Sequence, residues 1–364
     1  MGLLDGLRVL DLTQLLPGPY ATQLLAELGA EVTKVEPLET GDPCRFLPPH
    51  GPDGNGVLFA AVNRGKRSVA LDLKSDTGRE SLRRLVARAD VFVEGFRPGA
   101  ARRLGVDAAT LRALHPKLVH VSITGYGQTG PYAERAGHDS DYLALSGVLS
   151  GTGPAGGPPV LPIVQIADLA GGALSALVGI LAALYRRDRP GPGAAVAVSM
   201  PEGALALNVL AWSMWRAGND PPSPGRSVLT GLFPCYSLYG TSDARYLAVG
   251  ALEPKFWMAF TAAIDAADLA ADPYGTDPET RERVATILAS KDLAYWRGVF
   301  AEVDACVEPI LDVAESLETP HARARGLAAA EAPPFAFLVD GARPATTGRV
   351  PALGEHTSAA LVES

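Results

Sequence analysis

Cysteine is scarce in this sequence, with three in 364 residues: Cys44, Cys235 and Cys306. No C-x-x-C pair and no metal-ligand spacing relates them. Neither a disulfide framework nor a thiolate metal site is expected, and the thiols read as reduced side chains of a cytoplasmic protein. Positive charge is in deficit too, since 32 Lys and Arg face 40 Asp and Glu for a net charge of −8. That balance excludes a dedicated nucleic-acid surface but leaves room for a local basic pocket. Long hydrophobic runs are missing. The longest uncharged stretch, residues 142–167, is cut by Gly and Pro, and the apolar run 169–185 is bounded by Asp168 and Arg186. The second run is just short of a comfortable membrane span, so a buried helix is expected there and no membrane segment. Asp5, Arg8 and Asp11 interrupt any secretory hydrophobic region, and Gly6 stands where a myristoylation signal needs Ser or Thr. A soluble, cytoplasmic protein is expected. No serine nucleophile elbow, H-E-x-x-H or Walker loop occurs.

What is present is an alternation of strand-like and helix-like segments. Strands are predicted over residues 8–12 (RVLDL), 31–36 (EVTKVE), 68–72, 91–94 and 118–123, with helices over 20–28, 77–89 and 108–114 between them. Such spacing argues for βαβ units and a doubly wound parallel sheet. Residues 124–137 follow a strand as a polar, Gly-rich loop, at the sheet edge where ligands dock in open α/β folds. Helices are predicted over 139–149, 169–187 and 202–217, and GNDPPSPGR at 218–226 is the clearest linker. Beyond it, 233–239 and 245–249 read as an antiparallel pair, with helices near 254–263, 278–289 and 292–303. The partition expected is a large α/β domain over 1–195 joined by 325–364, a helical linker over 196–226, and a smaller α+β domain over 227–324.

Several residues carry possible chemistry. Gly151, Gly153 and Gly156 satisfy G-x-G-x-x-G, yet a helical stretch precedes them and Pro158-Pro159 follows, so a flexible loop is the better reading. Arg64, Lys66 and Arg67 precede one strand, while Arg97, Arg102 and Arg103 follow another. In an acidic chain, cations gathered at strand ends suit phosphates. His138 closes the Gly-rich loop at a helix entrance, where catalytic groups concentrate; the other five histidines read as structural or solvated. Asp139 reads equally well as a helix N-cap. Asp168, between two apolar stretches, is either an N-cap or a carboxylate whose pKa is raised in a dry pocket. Glu253 likewise opens a helix after an apolar strand.

Taken together, several segments resemble the family III CoA-transferase superfamily. GLRVLDLTQLLPGPYATQLLAELGAEVTKVE looks like its opening βαβ unit; NRGKRSVALDLKSDTG, ADVFVEGFRPGAARRLG, ITGYGQTGP and LGEHT are similar to its recurring motifs, in order along nearly the whole chain. Within it, AGHDSDYLALSG, IADLAGG and VGALEPKFW resemble the 2-methylacyl-CoA racemase branch, with His138 and Asp139, Asp168 and Glu253 at matching separations. The resemblance implies a Rossmann-like large domain, a smaller α+β domain and an interlocked homodimer. It implies an acyl-CoA substrate and no separate cofactor, since CoA belongs to the substrate thioester. It places CoA against Leu71, Lys74, Gly95, Phe96, Arg97 and Arg103. The family's basic residue after the acid of the second strand is absent, because Pro37 follows Glu36, and Arg45 is the candidate replacement.

The expected activity is two-base racemisation through an enolate. His138 and Asp168 would serve the two faces, Asp139 would support the site, and Glu253 of a second chain would orient His138. Amide donors of the helix beginning at Asp168 would stabilise the enolate oxygen. A CoA-transferase using Asp168 as nucleophile is the first alternative, and a non-catalytic CoA-binding protein the second.

Overall fold

Short runs rich in Val, Ile and Leu, separated by helices, form the strands β1 (Arg8–Leu12), β2 (Glu31–Pro37), β3 (Arg67–Leu71), β4 (Val91–Glu94) and β5 (Val119–Thr124). The computed structural model describes residues 2–189, 191–275, 277–329, 332–345 and 348–363. With β6 (Ala195–Ser199) the strands make a fully parallel sheet in the order β3-β2-β1-β4-β5-β6. Every residue of β5 is buried, as expected of a strand covered on both faces. On one face Val9, Val91, Val93 and Val121 pack against Ala21 and Leu25 of α1 (Pro17–Glu27) and Ile180 and Leu184 of the helix Ser175–Asp188. On the other, Leu10, Val69 and Phe92 pack against Leu82 and Val86 of the helix Asp76–Ala87. The order turns back between β1 and β4, which opens a crevice at their carboxyl ends.

Contacts divide the chain into two compact units, one of Met1–Val148, Pro162–Val209 and Glu331–Ser364, the other of Leu149–Leu161 and Leu210–Ala330. Within the second, β7 (Tyr236–Gly240), β8 (Tyr246–Gly250) and β9 (Val307–Pro309) form an antiparallel sheet. Its core holds Leu247, Val249, Trp257, Phe260, Leu288 and Trp296. The indole N–H groups of Trp257 and Trp296 donate to the carbonyls of Leu269 and Leu288. This is the smaller α+β unit.

Some expectations need correction. The stretch 196–226, expected as a helical linker, opens inside strand β6, which pairs with β5 from His120↔Ala195 to Thr124↔Ser199. The helix expected over 202–217 is two, Met200–Leu207 and Val209–Arg216, broken at Asn208 with ψ of 49°. The helix after residue 139 stops at Leu145. The apolar helix begins as a wide π-type turn over Ala167–Leu174 and continues to Asp188. At 22 residues, Ala167–Asp188 is long and apolar enough to cross a membrane by length and composition, but one side of it is the core face described above. At this widened start the chain runs close to the helix Met200–Leu207. A Cβ on Gly203 would lie 2.1 Å from the Gly171 carbonyl oxygen, so the two backbones touch where any side chain would hold them apart.

Candidate active site

A cavity of about 680 Å³ opens in the first unit at the carboxyl ends of β1, β4 and β5. Residues 12–18 form one wall, 95–98 and 123–125 lie at the strand ends, and 135–138 lie on the loop before the helix, with Tyr142, Gln165, Asp168 and Met200 also in the lining. It therefore occupies the place where the strand order reverses. His138 and Asp168, thirty positions apart in sequence, line the same space, as do Gly95, Phe96 and Arg97.

Local chemistry explains each placement. His138 is the N-cap of the helix Asp139–Leu145, and its own N–H donates to Asp141 Oδ2 at 2.9 Å. The cap is thus His138 and not Asp139. Asp139 instead turns back, and its Oδ1 accepts the backbone N–H of Asp168 at 3.0 Å, which ties the His138 helix to the π-type turn. Asp168 is no N-cap either, since it lies inside that turn. Burial, and secondarily the nearby Asp139 carboxylate, raise Asp168 to about 6, against an opposing effect of His138. An acid so placed is near the balance point between proton donor and acceptor at neutral pH. The Tyr142 hydroxyl donates to the Gly137 carbonyl at 2.5 Å, and burial with the Asp168 charge keeps that phenol protonated. One expected element is absent: the Asp168 N–H is taken by Asp139 and the Leu169 N–H by the Gln165 carbonyl, so these amides are not free to hold an enolate oxygen.

Comparison with known proteins shows the family. The model of CoA-transferase family III matches residues 4–357. The chain belongs to that family. It is 37% identical to a mouse (Mus musculus) alpha-methylacyl-CoA racemase over 99% of this chain and 93% of that protein. It is 35% identical to the acetyl-CoA:oxalate CoA-transferase of Acetobacter aceti over 90% of this chain and 85% of the other. A solved CAIB/BAIF family protein from Brucella suis is 30% identical and superposes with a TM-score of 0.85, covering 99% of this chain and 98% of that one. The relatives' names divide between racemases and CoA-transferases, and this family III chain is an enzyme.

The cation clusters of this family III protein separate cleanly. Arg97, at the N-cap of the helix Pro98–Leu104, is exposed in the cavity wall with no ion pair among the described residues. Arg64, Lys66 and Arg67 are not a phosphate site: Arg64 pairs with Glu27, Lys66 is buried against Asp11, and Arg67 bridges Glu31 and Glu363. Arg45 does not replace the missing basic residue, because its guanidinium forks both oxygens of Glu36 and reaches the Pro351 carbonyl. Leu71 is buried at the end of edge strand β3, and Lys74 and Arg103 are exposed; none of the three lines the cavity. Glu253 is an exposed N-cap in the second unit; desolvation first, and the Glu253 charge second, raise the Cys306 thiol's pKa. Sequence reasoning missed Arg135, which lines the cavity and stacks on Tyr132 at 3.7 Å. Its signal was available, as the last cation of the Gly-rich loop before His138. Among the described residues no cluster of His, Cys, Asp or Glu is arranged to hold a metal.

Proposed function

We propose that this enzyme racemises 2-methylacyl-CoA thioesters. The observation that carries the reading is the pairing of His138 and Asp168 on one cavity, linked through Asp139. In one direction neutral His138 takes the α-proton, the C–H electron pair moves into the thioester as an enolate, and protonated Asp168 delivers a proton to the other face. The reverse direction exchanges the roles. A carboxylic acid at about 6 suits this work, because both of its protonation states are populated near neutral pH. Asp139 supports the site through the Asp168 amide. Glu253 of a partner chain orients His138.

CoA lies along Gly95, Phe96 and Arg97, with Arg135 as a further phosphate contact at the cavity mouth, and with Leu71, Lys74 and Arg103 holding parts of it outside the cavity. The acyl group enters the wall formed by Leu16 and Met200.

A second reading has support of its own. Asp168 faces the cavity, and relatives at 35% identity bear the names of CoA-transferases. As a nucleophile, its carboxylate would attack the thioester carbonyl, release CoA thiolate and leave an acyl-aspartyl anhydride. Incubation of one 2-methylacyl-CoA epimer in deuterated water decides between them. Racemisation predicts α-deuterium incorporation and epimer mixing without any acceptor acid. CoA transfer to an added carboxylate with no α-exchange would establish the transferase instead.

A further inference from the structure

Leu15 sits in the cavity wall with φ of 64°, the left-handed region that a leucine disfavours. Its surroundings explain how the loop is kept there. The Leu15 N–H donates to Asp42 Oδ1 at 3.2 Å, and the Thr13 carbonyl accepts from Lys34 Nζ at 2.7 Å. Lys34 Nζ lies 2.9 Å from Asp42 Oδ2, with both side chains fully buried. One ion pair therefore grips the two peptide groups that flank Gln14, the second of them carrying the Leu15 amide itself. The pair is anchored elsewhere: Lys34 projects from β2, the Cys44 N–H donates to Asp42 Oδ1, and the Asp42 N–H donates to Glu36 Oε1. Neither Lys34 nor Asp42 lines the cavity.

Stability alone does not account for such a pair. Removing two charges from water is costly, and an apolar pair of similar volume often serves a core equally well. An apolar pair does not, however, hold one carbonyl and one amide of a strained loop. The geometry points to Lys34 and Asp42 as positioning residues, which keep residues 13–16 in the shape that the reaction cavity needs. This rests on the reading that the reaction takes place in that cavity.

The test is the double variant Lys34→Met/Asp42→Leu, which removes both charges and leaves neither unpaired. Hydrogen–deuterium exchange of the peptide over residues 9–20 should show the Leu15 amide exchanging faster. The kcat for α-proton exchange should fall at least ~10-fold, with KM changed less, because a misplacement of ~1 Å can cost ~10²-fold. Adding Leu15→Gly, which takes a positive φ without strain, should recover much of kcat, whereas adding Leu15→Ala should not. Wild-type kcat in the double variant, or no recovery with glycine, overturns the proposal. If the double variant does not fold, Asp42→Asn carries the same glycine and alanine comparison, with a smaller loss expected. Unchanged Leu15 amide exchange overturns the proposal whatever the reaction. A wild type lacking α-exchange refutes the racemase reading and leaves the amide measurement standing.

Discussion

At the residue scale the proposal stands on two groups with different surroundings, an exposed imidazole at a helix start and a half-buried carboxyl inside a widened turn. His138→Ala and Asp168→Asn should each lower racemisation at least ~10²-fold, the usual size of a general acid–base contribution. CoA affinity should hardly move, since neither group is a phosphate contact. Near wild-type rates in either variant would remove the two-base assignment. Asp139 gives a sharper test. Asn at that position still offers an oxygen to the Asp168 amide, but it lacks the charge that helps raise Asp168 to about 6. The Asp168 pKa should therefore fall toward the ordinary aspartate range. The acid limb of the kcat/KM profile, a property of the coupled pair, should then move to lower pH. A limb that stays in place, or moves up, contradicts the coupling.

At the scale of elements, legibility followed packing. β1 to β5 were readable to within a residue or two, because each is a short run carrying Val, Ile or Leu between segments of helical pattern. β6 was not, since AVAVS passes directly into the helix at Met200 with no turn residue to mark it. Nor was the π-type turn, whose close approach to Gly203 joins residues far apart in sequence. Cations were the least legible, because burial is not written in the letter K. Lys66 is held by Asp11, Pro19, Thr22 and Asn63, most of them distant in sequence. Two substitutions separate the structural cation from the binding one. Lys66→Met strips the buried Asp11 carboxylate of the cation on its Oδ2, leaving only the Thr22 hydroxyl there, and should cost about 3–5 kcal/mol in urea unfolding, with KM unchanged in the folded enzyme. Arg97→Ala should leave stability intact and raise KM, in a salt-sensitive manner. The opposite pattern would place the phosphates at the Lys66 cluster.

At the scale of the whole molecule, single-chain surfaces ask for a partner. Leu174, Val178, Leu181 and Tyr185 recur at helical spacing along Ala167–Asp188 and are 43%, 67%, 37% and 62% exposed, and Trp212 and Trp215 stand exposed on Val209–Arg216. Apolar faces of that kind mark contact surfaces, and a second copy of the chain is the proposed occupant. The interlocked dimer implied by the sequence resemblance would also supply Glu253 from one chain to His138 of the other. Complementation tests that sharing directly. A His138→Ala chain and a Glu253→Ala chain are each expected to be weak alone. Unfolded together and refolded, half of the dimers should be mixed. In each mixed dimer one site receives both defects, while the other joins an intact His138 to an intact Glu253. About a quarter of wild-type activity should then return. If mixed dimers form and activity stays at the average of the two parents, each site is built within one chain, and Glu253 serves its own His138 or none.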